Sequence, residues 1–386
     1  MHLYHAPVNF RRAAILAMAL LLLPLLSSCV KVFNPVGWAP VAFDGDSAYV
    51  VTSKGHLSAL KIDGDSATAS WTFPDKNRSE DKKLQLKAIY GAPVFDGDRL
   101  YIASFHGGVF ALRKDDGRPV WPASGDSSSK IEGDIPGGVA LAGDNLYFGT
   151  TEGHVYAWKK SDGTPAAGWE KPKTFDGGVW ATPVVVGDTL FVATMEGDLH
   201  AISLSDGSEK WKFSASGAIA DLARINDDYL FVPSINRHLY VIRTADGSVA
   251  GDFEAGDWVW TSPAVAGSTV YFGDFGGKVY ALDITSSRVS PVWAQPASVK
   301  GERVKAGAAI VDDVVVVADR SPTVTFISAG DGSVLNRVPL TDGDTVRADV
   351  VAHDGEAYLV TTDGKLFRAD PKQRRVVEIT INGVKK

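Results

Sequence analysis

The 386-residue sequence holds a single cysteine, Cys29. No disulfide can therefore form within the chain, and stability must come from packing. Positive charge is also scarce: 39 lysines and arginines stand against 46 aspartates and glutamates, a net charge of −7. That balance argues against nucleic acid as a partner and against electrostatic binding to an anionic membrane surface. No run shows a 3.6-residue apolar period long enough for a helix. The apolar run from Ala13 to Leu26 is too short to span a bilayer comfortably. What the sequence does hold is 39 glycines, many β-branched and aromatic residues, and 45% hydrophobic residues overall. These point to an all-β fold with a large core.

The N-terminal run has its own logic. Arg11 and Arg12 precede it and Ser27-Ser28-Cys29 ends it, which is the charge, apolar stretch and small-residue order of a secretory signal peptide. Leu26-Ser27-Ser28-Cys29 further matches the bacterial lipobox, whose cysteine is acylated and becomes the new N-terminus. Several acyl chains on Cys29 bury enough CH₂ groups for stable anchoring. The expected organisation is a signal peptide over 1–28, a lipidated linker over 29–36 and the folded domain over 37–386. Val30, rather than aspartate, follows the cysteine. That favours the periplasmic face of the outer membrane in a two-membrane envelope, and the cell surface where only one membrane exists.

The rest of the chain repeats itself. MEGDLHAISLSDGSEKW, ending at Trp211, has counterparts ending at Trp121, Trp169 and Trp293. Aligned as strand, Gly-Asp turn, strand, Gly turn, strand, Asp-Gly turn, strand, the sequence gives eight units. They begin near Gly37, Ile89, Ile135, Val179, Ile219, Val259, Val304 and Val346. A spacing of roughly 40 to 50 residues is the size of one four-stranded propeller blade. The prediction is an eight-bladed β-propeller of four-stranded antiparallel blades, with seven blades if one weak unit is a false match. Trp71, Trp121, Trp169, Trp211 and Trp293 close five units, where rings of that size suit packing between blades. The fifth, seventh and eighth units carry Gly251, Asn336 and Arg375 instead.

The segments Ala111 to Trp121 and Ala201 to Trp211 resemble the tryptophan-docking motif of quinoprotein (PQQ-type) β-propellers. The likeness runs over essentially the whole folded part. Within that superfamily, a single eight-bladed propeller on a lipobox cysteine resembles the BamB family, lipoproteins of the outer-membrane β-barrel assembly machinery. The resemblance implies a monomeric, lipid-anchored scaffold that docks envelope proteins inside a complex. WD40 repeats fit less well, because Gly-His pairs occur but no Trp-Asp closes any unit. The superfamily's enzymes oxidise alcohols or sugars with PQQ and Ca²⁺, and the soluble alcohol-oxidising ones place a disulfide of adjacent cysteines against the cofactor. One cysteine excludes that disulfide. The inserts Pro74–Lys87, Pro122–Asp134 and Pro296–Arg303 are modest, and no set of six to eight converging oxygens for Ca²⁺ can be assembled. Neither PQQ nor calcium is expected, and no catalytic residue is assigned; a quinoprotein dehydrogenase or cofactor binder remains the alternative.

Two further constellations stand out. His56, His154 and His238 occupy nearly equivalent repeat positions, with His106 one residue away. Adjacent blades place such sites roughly 11 Å apart, too far for bonds of about 2 Å to one ion, so they read as polar turn residues and no metal site is expected. Eight residues before the Asp of each first turn, or its equivalent, stand Trp38, Tyr90, Pro136, Trp180, Ala220, Trp260, Lys305 and Arg347. This position should open the innermost strand and ring one mouth of the central funnel. Aromatics beside Lys and Arg suit a partner loop or an anionic or aromatic ligand. They equally suit a plug of large side chains, or a cell-surface sensor for a small ligand or polysaccharide.

Overall fold

Strands and tight turns account for all regular structure among the described residues. The computed structural model describes 37–386 apart from 53–54, 80, 82–83, 85, 87, 107, 123–130, 286–287, 300–302, 341–344 and 384–386. The expected signal peptide, the lipobox Cys29 and the linker 29–36 lie outside the described residues, as do parts of all three inserts.

One four-stranded antiparallel unit recurs eight times along the described chain. In the first blade its strands are β1 (Ala42–Asp44), β2 (Ser47–Val51), β3 (Leu57–Asp63) and β4 (Ser66–Phe73), hydrogen-bonded in that order. The later blades start at Val94–Asp96, Ala140–Ala142, Val184–Val186, Ala223–Arg224, Ala264–Ala266, Ala309–Val311 and Val351–His353. The sheets number seven rather than eight because the outer strand of the last blade, Arg375–Asn382, pairs with β4. That pairing is parallel, with Thr380 opposite Ser66 and Asn382 opposite Thr68. Arg368 reinforces it, donating to the Asp65 carboxylate at 2.6 Å and to the Gly64 carbonyl at 3.2 Å. First and last blades thus cover each other's free edge.

Burial follows strand position. Second strands such as Thr189–Ala193 and Val314–Ala318 are buried along their whole length, on both faces. Fourth strands alternate, as in Glu209–Ser214. The core is accordingly divided into seams. Eight apolar clusters appear among the described residues, each shared by two blades adjacent in sequence or, in one case, by the last and the first. That last cluster joins Val50 and Leu60 to Tyr358 and Leu366.

The tryptophans cross these seams. The indole Nε1–H groups of Trp71, Trp121, Trp169, Trp211 and Trp293 donate to the carbonyls of Lys114, Lys160, Leu204, Thr244 and Ala329, at 2.8–3.1 Å. Every acceptor sits at the third turn of the following blade. In that turn an Asp carboxylate takes the N–H two residues on, as Asp162 does from Thr164 at 2.9 Å, with a left-handed glycine between them. Gly163 (φ +70°) lies against the face of Trp121. The units without tryptophan solve the seam differently. Asn336 donates to the Arg374 carbonyl at 2.8 Å, keeping the cross-seam hydrogen bond without the ring. Gly251 leaves room for Val289 of the sixth blade. In the eighth blade the alignment on Arg375 is corrected. Five outer strands carry a bulge at this point; the last does not, so Val377 rather than Arg375 stands opposite Arg368.

Candidate functional site

The segment leading into the first strand is held by backbone hydrogen bonds at up to two points. The N–H of the first residue of the second turn donates to a carbonyl two residues ahead of the ring position. The pairs are Phe105–Ala88, Thr151–Asp134, Met195–Gly178, Ile235–Ala218, Phe275–Trp258, Arg320–Arg303 and Thr362–Thr345, at 2.8–3.1 Å. The residue just before the ring position then donates back to the preceding blade, as Val179 does to Thr150 and Ile219 to Thr194. In the third, fourth, fifth and seventh blades both bonds form, and together they fix where the ring side chain emerges.

The result is one cavity of about 470 Å³ bordered by Trp38, Tyr90, Pro136, Trp180, Ala220, Trp260, Lys305 and Arg347. Since every blade contributes, the cavity lies on the axis of the ring. One detail differs from the sequence reading. The ring residues do not open the first strand but precede it, by four residues in most blades and by three in the fifth. Pro93, Pro183 and Pro263 stand directly before their strands, and proline offers no N–H for a ladder.

The mouth is asymmetric. Trp38 and Tyr90 pack with ring centroids 4.4 Å apart, and Tyr90 meets Phe105 edge-on at 5.4 Å. Burial pushes the Tyr90 hydroxyl up to about 12, with Asp134 adding to the shift and Arg347 opposing it. Across the funnel, Phe275 is flanked by Trp258 and Trp260 at 6.0 and 6.1 Å. Arg303 and Lys305 lie over the Phe275 ring at 5.7 and 5.4 Å, and Arg347 lies over Trp38 at 5.3 Å. Desolvation, then the charges of Arg347, Arg303 and Arg320, lower the Lys305 pKa. The base of this cluster is rigid. Buried Asp274 accepts from the Tyr280 hydroxyl at 2.7 Å and from the backbone of Lys278 and Asp257, which holds the loop that presents Trp258.

Below the mouth lie two carboxyls that the repeat alignment passed over, Asp221 and Asp349. Asp221 accepts from the Ser262 hydroxyl at 2.7 Å and the Leu222 N–H at 2.8 Å; Asp349 accepts from the Gly307 N–H. Both keep some accessible surface at the cavity wall, yet protein packs densely around them, and that density governs the cost of charge. Desolvation pushes both pKa values up, and for Asp221 the Asp349 charge pushes further. The signal for them was in the sequence: in the other blades the two residues after the ring position are Ala, Gly, Pro, Thr or Ser. Phe275, Trp258, Arg303 and Arg320 were missed for another reason. They come from the second turns and the pre-strand segments, which only folding brings beside the ring.

A raised carboxyl pKa sets a sign. Between the unfolded value of about 3.9 and its folded value, each Asp binds more protons in the native state. Stability therefore falls as pH rises through that window and the loss is complete above the folded pKa. Asp349→Asn keeps an acceptor for Gly307 and removes the charge. It should raise stability at pH 8 by on the order of 2 kcal/mol and leave pH 4 nearly unchanged. Urea midpoints at the two pH values check this; an equal change at both would reject it.

The histidines remain within their own surroundings. His154 meets Thr174 at 2.9 Å, His238 meets Asp252 at 3.2 Å and His106 meets Asp134 at 3.1 Å.

Comparison with known proteins gives the fold a family. The structure is similar to BamB from Moraxella catarrhalis, with a TM-score of 0.69 at 15% identity over 86% of this chain and 95% of that one. It is similar also to the computationally designed Ika8 protein, with a TM-score of 0.67 at 15% identity over 86% and 95% of the two chains. The WD40 propeller domain of Doa1 follows, with a TM-score of 0.53 at 12% identity over 87% and 92%. At these identities the likeness is one of fold. No curated protein matches the sequence. The family model described as outer membrane protein assembly factor BamB matches residues 36–168, 164–297 and 290–377, nearly the whole described chain. The chain belongs to that family.

Proposed function

We propose that this chain is an envelope scaffold, anchored through acylated Cys29, that docks other proteins of the outer-membrane β-barrel assembly machinery on its funnel face. The observation that carries the reading is the exposed aromatic rim: Trp180 and Trp258 keep 41% and 46% of their surface free beside the funnel. Large aromatics left in water mark contact surfaces. Membership of the BamB family supports the assignment of the partner class. On this reading the protein performs no catalysis and carries no cofactor. Among the described residues no three His, Cys, Asp or Glu side chains converge as metal ligands. The two funnel carboxyls already accept hydrogen bonds from Ser262, Leu222 and Gly307, and two carboxyls fall well short of the six to eight oxygens that Ca²⁺ takes.

A photoreactive residue in place of Trp180, in cells of a two-membrane envelope, tests the reading. The expected product is a crosslink to a component of the β-barrel assembly machinery, absent when the same group replaces Lys212 on an outer strand. Crosslinks to unrelated proteins alone would reject the scaffold role. The cavity itself favours a second reading, a small-molecule sensor. Trp180→Ala with Trp260→Ala would then abolish ligand binding while sparing capture of the assembly partners.

A further inference from the structure

Many cations on this acidic surface have carboxylate partners. Lys114 reaches Asp44, Lys160 reaches Asp96 and Arg368 reaches Asp65, all within 2.6 Å. At the funnel mouth four cations gather without such partners. Arg303, Lys305, Arg320 and Arg347 make no ion pair among the described residues; Arg303, Lys305 and Arg347 lie instead over aromatic faces. They come from blades seven and eight only; Lys305 and Arg347 line that side of the cavity of about 470 Å³, and Arg303 and Arg320 lie near enough to lower the Lys305 pKa. Like charges held together repel one another, and an anion seated among them relieves that repulsion.

The surroundings narrow the anion's chemistry. Phe275, Trp258 and Trp260 form an apolar wall beside the cations, which suits a ligand carrying rings or aliphatic groups next to its charge. The patch is small and the chain as a whole is acidic, at net −7. A long polyanion would run off the patch into repulsion, whereas a short segment would not. Planar guanidinium groups match carboxylates through paired N–H donors. We infer that the funnel mouth receives a short acidic and aromatic peptide segment of a partner protein, with carboxylates on Arg303, Lys305, Arg320 and Arg347 and an apolar side chain against Trp260 and Phe275. The inference deepens the scaffold reading and rests on it for the partner being a protein.

A fluorescent peptide alternating aspartate with phenylalanine, titrated into the full chain and read by anisotropy, tests it. The peptide should bind, weaken as salt rises, and lose about tenfold in affinity when asparagine replaces aspartate. Lys305→Ala with Arg347→Ala should cost about tenfold or more, and Lys305→Arg should cost little. Arg347→Gln, at an exposed position, provides a second variant should the double one fail to fold. Equal binding of acidic and neutral peptides would overturn the inference. So would displacement of the peptide by inorganic phosphate or phosphatidylglycerol vesicles at matched charge concentration, which would assign the site to phosphate. If the peptide fails to bind while the Trp180 crosslink persists, this inference falls and the scaffold reading stands. Peptide binding without the crosslink would overturn the scaffold reading, and with it the assignment of the ligand to a partner protein, leaving the funnel mouth as a site for acidic and aromatic ligands.

Discussion

Trp121→Ala should lower the free energy of unfolding by about 3–5 kcal/mol. The side chain is only 5% exposed, and it lies at the seam between the second and third blades. Its indole packs edge-on against Trp158, with centroids 6.4 Å apart, and donates to the Lys160 carbonyl at 2.9 Å. Removing it opens a cavity and also leaves that carbonyl without its indole donor. Gly163 tests the same seam from the other side. A methyl on Gly163 would stand 2.6 Å from the indole Cε3, and the residue has φ +70°. Gly163→Ala should therefore be costly in the natural protein and much milder beside Trp121→Ala, where only the backbone term of about 1–2 kcal/mol remains. Denaturant midpoints of the two single variants and the double one give the coupling directly. Additive effects would show that the indole and the turn do not hold the seam together.

Much of this arrangement is legible in the sequence because the blade is a local pattern. Turn glycines, alternating strands and closing tryptophans lie within one unit, so the eight-blade ring emerges from alignment alone. The ring positions were legible for the same reason: a fixed step back from the first turn lands on equivalent backbone in every blade. Arg375 shows where the pattern stops informing. The step assumes a bulge in each outer strand, and a bulge depends on pairing that a linear sequence does not record. The parallel pairing of Arg375–Asn382 with β4 joins segments more than 300 residues apart, as the contact of Arg368 with Asp65 does. Asp221 and Asp349 illustrate a third limit. They were visible as acidic misfits, but their nearness to one another follows only from closing the ring. The cation cluster has the same origin, since Arg303 and Lys305 meet Phe275 across a blade boundary.

Gly91→Ala is expected to cost about 3 kcal/mol or more, for a reason specific to a closed ring. A methyl on Gly91 would stand 2.1 Å from the Gly138 Cα and 2.5 Å from its nitrogen. Both obstacles are backbone, so no rotamer change relieves the clash. The Gly138 N–H is itself held by the Thr182 hydroxyl at 2.7 Å, and Gly137 lies against the Trp180 carbonyl, so the obstructing segment is pinned to the fourth blade. In an open sheet two neighbours could part to admit one methyl. Here the displacement must be shared with seams that are already close-packed, including the one that joins the last blade to the first. Gly187→Ala is the control: its added methyl meets nothing within 4 Å, and its φ of +58° leaves only a backbone cost of about 1–2 kcal/mol. Denaturant midpoints of the two variants compare them. A smaller loss for Gly91→Ala than for Gly187→Ala would mean that the funnel wall yields. It would then no longer follow that the ring residues are held in fixed positions for a partner, because the backbone that presents Tyr90 and Trp180 is the backbone Gly91→Ala would have displaced.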